Sequence, residues 1–88
     1  MFATFNRFEI QMTKAQAQSA SHPGPCDVDV EELVKVPAIR RQLAKIEPAK
    51  LAEELEEYGA WDAEELADHE ANKRRIVWIA ACNITEGN

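Results

Sequence analysis

Apolar positions in this chain recur mostly every third or fourth residue, the spacing of one face of an α-helix. The longest segment of that kind runs from Trp61 to Ile84 and reads as one helix. Asp62 is its expected N-cap, because a short carboxylate there accepts bonds from the free N–H groups of the first turn. Glu65, three residues on, is the reciprocal partner of a capping box. On a helical projection Leu66, Val77 and Ile84 fall on one line, flanked by Ala80 and Ala81 but also by Glu70 and Lys73. Ile76, Trp78, Ile79 and Cys82 point elsewhere. The first half is therefore amphipathic, while the last two turns, around residues 76–81, are apolar on every side. Such a helix belongs in the middle of a domain or at a self-association surface. Asn83 is its expected end, with Gly87 just beyond.

Upstream the elements are shorter. Residues 1–12 fit two templates. Phe8, Ile10 and Met12 alternate with Arg7, Glu9 and Gln11 as in a strand, while Phe2, Phe5, Phe8 and Met12 also make a helical stripe. The Phe-rich composition favours the strand. A lone strand leaves its ladder groups unpaired, so it is expected to pair with a second copy or another protein, unless it drapes over the core.

Thr13, with Gln16 as reciprocal partner, caps an alanine-rich helix over 14–21. His22-Pro23-Gly24-Pro25 stops it, within the linker-like stretch 19–25. Asp27 caps a helix from Val28 to about Lys35, with Val30, Leu33 and Val34 inward. Pro37 opens the next, since proline is accepted in a first turn; its stripe is Val36, Ile39, Leu43 and Ile46. Pro48 opens a fourth, with Leu51, Leu55 and Tyr58 inward and Ala52 beside them. Gly59 is its C′ residue. Trp61 then plugs the junction with the final helix. The expected fold class is mainly α: a single-domain bundle of four to five short helices with a longer C-terminal helix, plus a short N-terminal β-strand.

Composition narrows the setting. Eighty-eight residues with 45% apolar content support one modest core. No stretch approaches the roughly 18 apolar residues of a membrane span. The first twelve residues lack the apolar core of a signal peptide. A reducing, cytoplasmic location is therefore expected, with Cys26 and Cys82 as thiols packed like small hydrophobes. The net charge of −6 argues against nucleic acid or an anionic membrane as a simple electrostatic partner, and suits a partner with a basic surface.

The charges come in blocks. Asp27, Asp29, Glu31 and Glu32 are followed by Lys35, Arg40, Arg41 and Lys45. Ten acids from Glu47 to Glu70 then face only Lys50, and Lys73, Arg74 and Arg75 close the series. Glu70 and Arg74 are spaced for an intrahelical pair. On solvated faces such pairs contribute about 0–1 kcal/mol each. The sharper reading makes residues 53–70 a docking face for a basic partner, where opposed potentials speed encounter and set orientation. Its candidate residues are Glu53, Glu54, Glu56, Glu57, Glu64 and Asp68, with Trp78 as an aromatic anchor of the hot-spot type or, alternatively, part of the core. An alternative is a nucleic-acid-mimicking inhibitor from a phage or mobile element, of anti-restriction or anti-CRISPR type. The interspersed basic blocks weigh against it.

Catalytic patterns are weak. Glu65 and His69 share a helix face but offer too few ligands for a metal site; His69 reads as a surface histidine paired with a carboxylate. His22 and Cys26 lack an orienting third group and read as a turn. Three glycines, at 24, 59 and 87, build no phosphate loop. A helix-turn-helix would need the acidic segment after Pro48 as its recognition helix. The expectation is a non-enzymatic protein-binding domain with no metal or cofactor, dimerising through the N-terminal strand or the final helix.

Overall fold

The computed structural model describes residues 2–5, 8–20 and 28–86. Strands β1 (Phe2–Phe5) and β2 (Phe8–Gln11) come first. Helices α1 (Lys14–Ala20), α2 (Val28–Val34), α3 (Pro37–Ala44) and α4 (Pro48–Tyr58) follow, then a 3-10 turn (Glu65–Ala67) and α5 (His69–Glu86). The fold is mainly helical, with the longest helix last. The radius of gyration is 11.7 Å, close to the roughly 12 Å that folded chains of this length follow. Among the described residues no helix is long and apolar enough to cross a membrane.

Local signals account for most helix ends. Thr13 and Gln16 form the capping box: Gln16 N–H donates to Thr13 Oγ1 at 3.1 Å, and Thr13 N–H donates to Gln16 Oε1 at 2.9 Å. Pro37 and Pro48 start α3 and α4, and the residue before each, Val36 and Glu47, is extended because the proline ring disfavours helical backbone there. Gly59 ends α4 at φ 84°, the left-handed region that glycine enters without a Cβ penalty. The Asp27 cap and the His22–Pro25 stop lie outside the described residues.

The core gathers around α5, which touches α1, α2, α4 and both strands. Ile76, Val77, Ile79, Ala80, Ala81 and Ile84 are all buried, as a run apolar on every side requires. Ile10 of β2, Ala17 of α1, Val30 and Leu33 of α2, Ile39 and Leu43 of α3, Leu51 and Leu55 of α4 and Leu66 of the 3-10 turn complete it. Val36 and Ile46 pack half-buried at its edge, so the stripe of α3 reads as expected.

The N-terminal segment needs correction. Its strand is not alone: β1 and β2 pair antiparallel, with Phe2 opposite Gln11 and Phe5 opposite Phe8. One side of each strand's ladder is thus satisfied within the chain, and no second copy is needed for it. Residues of an antiparallel pair alternately bond to the partner strand and direct their groups outward. Gln11 directs them at α3. Its N–H donates to Gln42 Oε1 at 2.7 Å, and its carbonyl accepts from Gln42 Nε2 at 2.9 Å. The Gln42 amide imitates a third strand and blunts the sheet edge there. Gln42→Ala is expected to cost about 1–2 kcal/mol and to speed hydrogen exchange of the Gln11 amide. Unchanged protection of that amide would refute the role given to Gln42.

The final helix is also corrected at both ends. Asp62 and Glu65 do form the expected capping box: Asp62 N–H donates to Glu65 Oε1 at 3.1 Å, and Glu65 N–H to Asp62 Oδ1 at 2.8 Å. The turn they start is short. At Asp68 the backbone becomes extended, φ −88° and ψ 99°, and this residue caps a new helix. Its Oδ1 accepts from Ala71 N–H at 3.2 Å. Residues 62–84 are thus two helical pieces separated by an extended residue, not one rod. Aspartate bonds to nearby backbone donors in non-helical conformations, so a second Asp six residues after the first offers a competing start. At the far end α5 continues past Asn83 to Glu86.

Candidate functional site

The acidic segment does not present one face. On α4, Leu51, Glu54 and Leu55 share the inner side by their three- and four-residue spacing. Glu54 is only 3% exposed. It therefore leaves the expected docking set, and the spacing already carried that signal. Glu53, Glu56 and Glu57 are exposed on the outer side. Glu64 is exposed in the turn after Asp62. Asp68 is exposed too, but its carboxylate is engaged as the cap of α5. Trp78 is half-buried against the core, remote in sequence from the α4 face.

Tyr58 departs from its expected inward position. It lies on the inner stripe of α4 but in the last turn, and remains 50% exposed. Its ring stacks on Trp61 with centroids 5.7 Å apart and an interplanar angle of 23°. Trp61 is half-buried and packs against the core, so it does plug the junction before the 3-10 turn. The Arg75 guanidinium lies over the Trp61 ring at 5.3 Å, a cation–π contact.

Arg75 also fixes the backbone beneath. Its Nη1 donates to Glu65 O at 3.0 Å and to Asn72 Oδ1 at 2.7 Å. Asn72 is 1% exposed, and its Nδ2 donates to Leu66 O at 2.8 Å. Two helix residues thus hold the 3-10 turn and, through Trp61, the exposed Tyr58. No spacing rule in the sequence marks this role for Asn72 or Arg75.

The candidate chemical groups do not converge. With the helix interrupted at Asp68, Glu65 and His69 no longer share a helical face, and the Glu65 carboxylate bonds to Asp62 N–H. His69 is half-buried with Nδ1 enclosed and without a hydrogen-bond partner among the described residues; the expected carboxylate pairing is not made. Glu70 pairs with Lys73 at 3.4 Å rather than with Arg74. Among the described residues no group of three His, Cys, Asp or Glu side chains is placed to hold a metal ion. His22 and Cys26 lie outside the described residues, while Cys82 is half-buried on α5.

No protein-family model, curated protein or solved structure matches this chain. The most distinctive part of the described surface is the exposed Tyr58 ring stacked on Trp61, over which Arg75 lies, on the same helix as three outward carboxylates.

Proposed function

We propose that the chain is a non-enzymatic protein-binding domain. Its working surface is the outer side of α4, Glu53, Glu56 and Glu57, together with the Tyr58–Trp61 stack at its C-terminal end. The partner carries a basic surface. The observation that supports this reading most is Tyr58. A large amphipathic ring is half-exposed yet held by a stacked neighbour, so it loses little freedom on binding. Tyrosine and tryptophan at such positions dominate binding energy in protein interfaces. The carboxylates steer a basic partner and orient it, while the ring supplies the contact that persists at high salt.

The expected result is a division of labour. Gln at positions 53, 56 and 57 together should slow association and flatten its salt dependence, with the melting temperature unchanged. Tyr58→Ala should mainly speed dissociation. Affinity capture from the host with the wild-type chain and both variants, followed by kinetics on the captured partner, reads both. A partner that binds the triple Gln variant and Tyr58→Ala as tightly as the wild type removes this surface from consideration.

A further inference from the structure

The two basic blocks of the sequence are far apart along the chain but meet in space. A cavity of about 340 Å³ opens between α2, α3 and α5. Lys35 at the end of α2, Arg40 of α3 and Lys73 and Arg74 of α5 all line it, with Glu31 and Glu70. Lys73 lies 3.4 Å from Glu70. Among the described residues the side chains of Lys35, Arg40 and Arg74 make no hydrogen bond or ion pair. The wall therefore carries four positive and two negative charges, in a chain whose formal net charge is −6. Val34 and Leu43 add an apolar part to it.

We propose that this cavity binds a small phosphate monoester. The excess of two positive charges matches a phosphate dianion, the form present above about pH 6. Each guanidinium offers paired N–H donors suited to two oxygens of one phosphate. The volume falls at the lower end of small-molecule sites, roughly 300–1,000 Å³, which suits a metabolite-sized ester. Val34 and Leu43 take the carbon body, and Glu31 accepts a hydrogen bond from a hydroxyl or ammonium group on it. Like charges gathered in one concavity repel one another, and a bound dianion offsets that repulsion. None of these residues belongs to the α4 surface, and the site stands or falls independently of the protein-binding role.

The test is an amide NMR titration of the whole chain near neutral pH at constant ionic strength. Glycerol phosphate and inorganic phosphate are the two probes, with thermal melts alongside. Glycerol phosphate should give saturable shifts confined to residues 31–43 and 70–74 and should raise the melting temperature. Inorganic phosphate, which reaches only the cations, should bind more weakly. Arg40→Gln and Arg74→Gln should each weaken glycerol phosphate about tenfold or more. Arg41→Gln, on the same helix but outside the cavity, should bind as the wild type does. Arg40 is exposed, so its variant remains folded even if Arg74→Gln does not. Shifts scattered over the surface, no saturation at millimolar ester, undiminished binding by Arg40→Gln, or tighter binding of inorganic phosphate than of the ester would each overturn the proposal.

Discussion

Replacing Ile76 with alanine is expected to remove about 2–5 kcal/mol of stability. The side chain is 0% exposed and opens the fully apolar run of α5. α5 is the element that α1, α2, α4 and both strands share. Truncation there removes apolar contacts and leaves a cavity that several packed elements would have to close together. Domains of this size have about 5–15 kcal/mol in all, and each kcal/mol moves the melting temperature by about 4–8 °C. A fall of more than about 10 °C in a thermal melt is therefore expected. Ile76→Leu keeps the volume and should cost less than about 1.5 kcal/mol. If alanine costs no more than leucine, α5 is not the centre of the fold.

Asn72→Leu is the second large effect. The change keeps a similar shape but removes both polar ends of a buried amide. Leu66 O loses the 2.8 Å bond from Nδ2, and Arg75 Nη1 loses its 2.7 Å acceptor. Leaving the buried Leu66 carbonyl unmatched costs about 1–3 kcal/mol, and the half-buried Arg75, which keeps its bond to Glu65 O, loses about 1 kcal/mol more. A total of about 2–4 kcal/mol follows. The effect should reach beyond stability. Arg75 lies over Trp61, and Trp61 stacks with Tyr58, so the aromatic pair should loosen. In a Trp78→Phe background, Trp61 emission should shift toward that of a solvated indole. An Asn72→Leu protein with wild-type melting and unshifted Trp61 emission would show that the 3-10 turn does not depend on this network.

These two residues also mark what each level of description contributes. Burial of Ile76 is legible from the sequence, because a run with no polar side has no other stable place. Asn72 is not legible. A polar residue at helical spacing reads as surface until its neighbours across the turn are known. Glu54 lies between the two: its spacing with Leu51 and Leu55 puts it on the inner stripe, yet carboxylates are rarely buried, and the composition of the segment suggested a wholly acidic face. Tyr58 has the same stripe position and the opposite fate: it stays half-exposed, stacked on Trp61.

By itself the sequence determined the elements whose signals are local: the Thr13–Gln16 and Asp62–Glu65 capping boxes, the proline starts at 37 and 48, the left-handed stop at Gly59, and the buried tail of α5. Each rests on backbone geometry or on a helical period within a few residues, so no knowledge of the rest of the chain is needed. The tertiary structure alone decided that Asp68 starts α5, that Gln42 completes the edge of β2, and that Lys35 and Arg40 face Lys73 and Arg74 across one cavity. A helix cap contributes only about 0.5–2 kcal/mol, so Asp62 and Asp68 are near-equal starting points along the chain. The bond from Asn72 Nδ2 to the Leu66 carbonyl, made across the bend at Asp68 and enclosed by the packed core, is of the same size and favours the start at Asp68.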